Sequence, residues 1–183
     1  MYHISKDKRS IQSAELIFKG LLECLEKKPF ELVTITDLQK TSHVARTTFY
    51  RSFDNLSDVL CWKCDRCFGE VLGSYEPKAF KGELELVRHY FAYWFNHSEI
   101  LELLIKINRQ DIIYSCHMKN ADLLQQQFGK LPGVDPNYFM AIRTGFTISV
   151  LTAWLKGGRK EKPDEVVKII REQLLLLAKE AQV

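Results

Sequence analysis

The chain has 183 residues, 46% of them apolar, with five Pro, nine Gly and a formal net charge of +3. That is ample material for a core, in one larger domain or in a small domain fused to a medium one. The scarcity of Pro, Gly and β-branched alternation argues against a β-rich fold and for an all-helical one.

Residues 1–9 form a polar arm carrying Lys6, Lys8 and Arg9. From Ser10 the residues Ile11, Ala14, Phe18, Leu21, Leu22 and Leu25 recur on one helical face, and Lys27-Lys28-Pro29 ends the pattern. Phe30, Leu32 and Val33 lead into the stretch that organises the chain, Thr34 to Phe53. Thr34-Ile35-Thr36-Asp37 has the spacing of a capping box, so a short helix is expected to start there and to break at Ser42-His43. A second short helix is expected from about Arg46 to Ser52. Ile35, Leu38, Val44, Phe49 and Phe53 form the inward apolar set of the whole stretch. Outward stand Thr36, Lys40, Arg46, Thr47, Thr48, Tyr50 and Arg51, with no carboxylate between Asp37 and Asp54. A short helix presenting only donors and positive charge suits a phosphate-lined groove, and two such helices around a tight turn fit a helix-turn-helix. The charge distribution agrees in sign: residues 1–53 hold nine Lys/Arg against six Asp/Glu, while the remainder balances.

A longer helix is expected from Leu56 to about Gly73, with Asn55 as its N-cap and Leu60, Cys64, Cys67 and Val71 as its core stripe. A break follows at Gly73-Ser74-Tyr75-Glu76-Pro77, and Gly82 closes it. Leu84, Val87, Phe91 and Trp94 mark the next helix, stopped at Asn96-His97-Ser98. Ser98 is expected to cap the apolar segment Ile100 to Ile107. Ile112, Ile113, Cys116, Leu123, Leu124 and Phe128 mark another helix, ended by Gly129. After a loop with Pro132, Gly133 and Pro136, Asp135 and Pro136 start a helix with Phe139, Ile142, Phe146, Val150 and Ala153 on one stripe. Gly157-Gly158 ends it, and Pro163 starts a last helix through Val166, Ile169, Ile170, Leu174 and Leu177. In the penultimate helix the first stripe competes for the core with Tyr138, Met140, Ile148, Leu151 and Trp154. A helix apolar on two faces must bury both, one in the core and one against a partner.

Cys61-x-x-Cys64-x-x-Cys67 places three thiols on one helix, a spacing that packs as small hydrophobes or offers thiolates to a soft metal or an oxidant. It is not the paired Cys-x2-Cys of a zinc knuckle, and His89, His97 and His117 are scattered, so no metal site is expected. Gly-rich phosphate loops, Gly-x-Ser-x-Gly and His-Glu-x-x-His are absent, so neither catalysis nor a cofactor is expected. The start, Met1-Tyr2-His3-Ile4-Ser5-Lys6, lacks the apolar region of a signal peptide, and no apolar run approaches a membrane span. With five Cys besides, a cytoplasmic protein with reduced thiols is expected.

Thr-Ile-Thr-Asp-Leu, then Val-Ala-Arg-Thr-Thr-Phe-Tyr-Arg-Ser-Phe, then Asp58-Val59-Leu60, resembles the N-terminal domain of TetR-type (tetracycline repressor-like) transcriptional regulators over about residues 10–62. The resemblance implies an all-α protein of about nine helices. Residues 1–53 would be a three-helix DNA-binding domain, and residues 54–183 would bind an effector and dimerise. It implies a regulator, a repressor by default, that binds a double-stranded operator as a homodimer under control of a small molecule. Thr34, Thr36, Lys40, Arg46, Thr47, Thr48, Tyr50 and Arg51 would contact DNA, Arg46 and Thr47 at base edges. Trp62, Phe68, Tyr90, Phe91, Trp94, Tyr114 and Phe146, with His117 and Arg143 as polar handles, would line the effector pocket. The last two helices would pair as a four-helix bundle through Ile142, Phe146, Trp154, Ile170, Leu174 and Leu177. Three positions depart from the family pattern: His43 stands for the turn Gly, Ala45 for a capping Ser, and Leu56 for a phosphate-side Lys. Two rival functions are a thiol- or metal-responsive regulator centred on Cys61, Cys64 and Cys67, and a protein-interaction module that has lost DNA binding.

Overall fold

Nine α-helices and one 3-10 turn, Phe30–Leu32, make up the regular structure of residues 1–74, 83–128 and 135–180, which the computed structural model describes. Tyr2 and Phe53 form a lone antiparallel bridge, and among the described residues there is no sheet. No described helix is long and apolar enough to cross a membrane.

Helix α1, Lys8–Leu25, begins two residues before the apolar periodicity does, because the Asp7 carboxylate accepts from the Ser10 N–H at 3.2 Å. Its face of Ala14, Ile17, Phe18 and Leu21 lies over α2, Ile35–Ser42, and α3, Arg46–Ser52. The capping box of α2 is complete: Thr34 Oγ1 accepts from the Asp37 N–H at 3.2 Å, and Asp37 accepts from the Thr34 N–H at 2.9 Å. The chain leaves α2 through His43 in the left-handed region, φ 55 and ψ 20. A β-branched side chain pays for that conformation, so His43→Val is expected to lower stability by ~1–2 kcal/mol while His43→Gly leaves the thermal midpoint unchanged or higher. Denaturant unfolding of the two variants checks this. Ala45 at the start of α3 gives no side-chain cap, as its methyl dictates.

Helix α4, Leu56–Gly73, is capped by Asn55, which accepts from the Asp58 N–H at 3.1 Å. Then follow α5, Glu83–Asn96, α6, Glu99–Lys106, and α7, Gln110–Phe128. The chain closes with α8, Pro136–Lys156, and α9, Pro163–Glu180. Helix α7 packs on α4, α6 and α8, while α9 packs on α5. The core runs unbroken from Ile17 and Leu38 through Trp62 and Phe68 to Trp94, Leu101, Ile113 and Leu151.

Three expectations need correcting. Ser98 does not cap α6: its hydroxyl donates to Glu102 at 2.7 Å and accepts from Arg159 at 2.6 Å, and its backbone is already helical. In α8 the inward stripe is the other one, Thr144, Ile148, Leu151 and Trp154, while Ile142 is 70% exposed and Ala153 also faces solvent. In α9 Val166 and Ile170 are buried, whereas Ile169, Leu174, Leu175 and Leu176 are exposed. The segments 75–82 and 129–134, with Pro77, Gly82, Gly129, Pro132 and Gly133, lie outside the described residues. So do the side chains of Leu84, Leu123, Leu124, Phe128, Phe139, Met140, Arg143 and Leu177.

Candidate functional site

Two features concentrate chemistry, at opposite ends of α4. The first is the outer face of α2 and α3. Leu38, Phe49 and Phe53 are buried, and the Phe49 and Phe53 rings stand 5.8 Å apart, fixing α3 from behind. This leaves Thr34, Thr36, Lys40, Arg46, Thr47, Tyr50 and Arg51 exposed and Thr48 half-buried, so none of the eight predicted contact residues is spent in the core. Arg46 lies over the Tyr50 ring, its guanidinium carbon 5.5 Å from the ring centre, which holds the fork along the exposed edge of α3. Among the described residues Lys40 and Arg51 make no ion pair, and the one carboxylate within α2 and α3, Asp37, is occupied by Lys28 at 2.8 Å and by the cap. The Lys28 ammonium and the two Thr34 donors hold the Asp37 carboxyl well below the usual carboxylate range. The surface therefore offers hydroxyls and unpaired cations and no free acid, the composition that binds a polyanion.

Its placement is set by contacts outside the two helices. At Gly20 the α1 and α2 backbones meet so closely that a Cβ there would lie 2.7 Å from the Ser42 amide nitrogen. The Thr41 hydroxyl donates to the Gly20 carbonyl at 2.9 Å across the same crossing. Glu15 on α1 accepts from Lys63 and Arg66 on α4, each at 3.0 Å. The arm does not point away from the body. The His3 N–H donates to the Ser52 carbonyl at 2.8 Å, and the Tyr2 hydroxyl donates to Asp65 on α4 at 2.7 Å. Lys119 on α7 reaches both Tyr2 Oη and Asp65. Arg109 donates to Ser57 on α4 at 2.8 Å and lies over the Phe30 ring. None of Gly20, Thr41, Tyr2, Asp65 or Lys119 stood out in the sequence; the one available signal was a glycine inside an otherwise regular helical pattern. Lys6, Lys8 and Arg9 remain exposed where α1 begins.

The second feature is a buried group of rings where α4, α5, α7 and α8 meet. Phe68 stands 5.1 Å from Trp94, 6.3 Å from Tyr90 and 5.4 Å from His117, centre to centre. Tyr90 and His117 are 5.9 Å apart, and His117 Nδ1 lies 3.1 Å from Thr144 Oγ1. Of the nine residues expected around a pocket, these four rings converge. Phe91 adjoins them, 6.0 Å from Tyr90, and pairs on its other side with Trp154 at 5.6 Å, while Trp62 packs 6.1 Å from Phe53 and Tyr114 and Phe146 are exposed. Thr144, fully buried, is a polar neighbour that the sequence did not single out.

Burial pushes His117 down from 6.5 to about 4, so the folded protein holds it neutral. The unfolded chain binds that proton first, so stability is complete above pH 6.5 and falls as the pH drops toward about 4, by about 3 kcal/mol over the window. His117→Gln is expected to flatten that part of a urea-midpoint-against-pH profile.

The cysteines regroup. Cys116 Sγ lies 3.7 Å from the Cys61 carbonyl, and Cys61 and Cys64 neighbour Cys116 across the α4–α7 contact, while Cys67 faces Tyr93. Hydrogen bonding within the group and burial raise Cys61, and burial raises Cys67; Cys116 is raised by Cys64 and burial against the opposing pull of Cys61. Thiols so held stay protonated near neutral pH, the opposite of an activated nucleophile. Among the described residues no group of three or more Cys, His, Asp or Glu is arranged to hold a metal ion.

No family model matches the chain. A curated relative, the HTH-type dhaKLM operon transcriptional activator DhaS of Lactococcus lactis subsp. lactis (strain IL1403), is 25% identical over 84 residues, 45% of each chain. The chain thus aligns with less than half the length of that relative. Among solved structures, Lin0861 from Listeria innocua matches with a TM-score of 0.80 at 14% identity, over 96% of both chains. The fatty acid degradation regulator FadR from Bacillus halodurans matches with a TM-score of 0.54 at 16% identity, over 93% of this chain and 96% of that one. At such identities these two likenesses speak for a shared fold.

Proposed function

We propose that the protein is a DNA-binding transcriptional regulator of the TetR type, in which residues 1–53 read an operator and residues 54–183 dimerise and receive an effector. The observation that carries the reading is the α2–α3 face, a set of exposed hydroxyls and cations without an ion pair, whose one carboxylate is paired with Lys28. The partial likeness to a transcriptional activator supports it. Arg46 and Thr47 sit at the exposed start of α3, where a recognition helix meets base edges, and Lys40, Tyr50 and Arg51 suit the flanking phosphates. Binding to DNA selected from a random pool, measured against salt, tests it. A protein with no sequence preference and no salt slope has lost the reader, and the interaction-module reading then stands.

A single short reader binds weakly, and the exposed Tyr138, Ile142 and Phe146 of α8 with Ile169, Leu174, Leu175 and Leu176 of α9 offer an apolar face for a second copy. Trp154 and Ile170, also expected there, are spent inside the chain, at 5% and 3% exposure. Ile142→Asp is expected to convert a dimer to a monomer in sedimentation velocity while keeping the helical circular dichroism. Operator affinity should fall with it, because two half-sites one helical turn apart, ~34 Å, are no longer held together. The family default is repression, and the Lactococcus relative bears an activator's name. A promoter fusion assayed with and without the protein decides the sense.

A further inference from the structure

A helix as short as α3 has too few internal bonds to set its own direction, so what grips its ends decides where it points. At the start Ala45 supplies no side-chain cap. At the other end the His3 N–H donates to the Ser52 carbonyl at 2.8 Å, and Tyr2 bridges Phe53. The arm thus takes up one of the carbonyls that a helix C-terminus leaves without an internal partner. Ile4 packs against the core on the far side of this grip.

Tyr2 carries the other half of the connection. Its hydroxyl donates to Asp65 of α4 at 2.7 Å. Lys119 of α7 donates to the Tyr2 oxygen at 3.0 Å, and its ammonium lies 5.0 Å from the centre of the Tyr2 ring. Lys119 and Asn120 both donate to Asp65 as well. The Asp65 side chain is only 11% exposed, so bonds to its charge are stronger than they would be on an open surface. The helices on which α3 packs are α1 and α2, whereas α7 packs on α4, α6 and α8. Two consecutive residues of the arm therefore join the last turn of α3 to the body of the protein.

We propose that Tyr2, Asp65 and Lys119 form a clasp by which α7 fixes the C-terminal end of α3, so that Tyr2 and Lys119 are positioning residues for the face α3 presents. The clasp itself needs no DNA, and its consequence for binding rests on the reading given above. Both residues act through the backbone of α3, so their loss lowers affinity without altering the salt dependence or the base preference.

Hydrogen exchange at the His3 and Phe53 amides of the full-length 15N-labelled protein tests the clasp. The His3 N–H is the bond to Ser52, and the Phe53 N–H closes α3 on the Phe49 carbonyl at 2.8 Å. Tyr2→Phe and Lys119→Met are each expected to speed exchange at both amides about tenfold or more. The double variant should add little to either single one, since both substitutions cut the same connection. Glu15→Gln is the control, because it loosens α1 from Lys63 and Arg66 of α4 without touching the clasp. It should leave the two amides within about twofold of the unsubstituted protein. Affinity for DNA selected from a random pool should fall about three- to tenfold in both clasp variants, with the salt slope unchanged.

The clasp is overturned if the His3 amide of the unsubstituted protein exchanges like an unprotected one, or if the effects of the two substitutions simply multiply. It is overturned too if Glu15→Gln speeds the same amides as much as the clasp variants do. A salt slope lowered by about one in Lys119→Met would make Lys119 a phosphate contact and end its positioning role. That role also fails if both variants bind selected DNA as tightly as the unsubstituted protein. If the amides respond as expected but the protein shows no preference among DNA sequences, the regulator reading fails and the clasp stands.

Discussion

Gly20→Ala is expected to destabilise the protein by about 2–3 kcal/mol and to abolish DNA binding well below its melting temperature. The added methyl would meet the Ser42 Cβ and amide nitrogen at 2.7 Å and the Ser42 Cα at 2.8 Å. Two of those three atoms are backbone, so no rotamer change relieves the clash, and the cost belongs at the upper end of the range for overpacking. The crossing of α1 over α2 must open, and with it goes the Thr41 bond to the Gly20 carbonyl. Gly69→Ala is the matched control. It lies in the interior of α4 with nothing within 4 Å of a Cβ, so the same methyl should stabilise by ~0.5–1 kcal/mol through helix propensity alone. Urea unfolding of both variants, with operator binding by anisotropy, checks the pair. Equal behaviour of the two would mean that the α1–α2 crossing is looser than 2.7 Å allows.

Arg46→Ala is expected to cost ~1–3 kcal/mol in operator binding and to relax the preference at one base position in each half-site, with the fold intact. The side chain is exposed and rests on Tyr50, so its removal leaves no cavity. Arg51→Ala and Lys40→Ala should behave differently. Each should weaken binding to all sequences alike and lower the salt slope by about one. Lys168→Ala on α9 should change neither quantity. The separation of these outcomes matters more than their size, because non-specific attraction to a basic surface would make the three substitutions equivalent. If Arg46→Ala changes slope but not preference, α3 lies on the backbone rather than in the groove.

The short elements were legible because their causes are local. Thr34 and Asp37 lie three residues apart, and their reciprocal bonds follow from that spacing alone. His43, marked by its place in the turn, does take the left-handed backbone that its position demands. Asn55 and Asp135–Pro136 start their helices for similar reasons. The failures have non-local causes. Ser98 looks like a cap, but Arg159, 61 residues later, claims its oxygen. In α8 both stripes are apolar, so periodicity cannot say which one turns inward. The answer came from Trp154, whose indole needs the Glu161 carbonyl and whose ring packs on Phe91 and Phe95.

The candidate sites divide along the same line. The α2–α3 face could be listed residue by residue, since a seven-residue helix leaves little choice of outward positions. The ring cluster could not. Trp62 and Phe68 are six residues apart on α4, and only the tertiary arrangement sends one toward Phe53 and the other toward Trp94 and His117. For the thiols the same holds: Cys67 shares a helix with Cys61 and Cys64, yet Cys116 is their neighbour.

The fastenings along α4 bear on how α1 to α3 could be moved to another protein. Phe53 rests on Trp62, Glu15 is held by Lys63 and Arg66, and Tyr2 is held by Asp65. All of these anchors fall within the first three turns of α4. A chimera joined at residue 53 would carry α1 to α3 without any of them, exposing Phe53, which is fully buried here. A chimera joined at Gly69, past the last anchor and at a position with open space around it, would carry them all. The transplantable unit is therefore α1 to α3 together with about three quarters of α4, from Leu56 to Gly69.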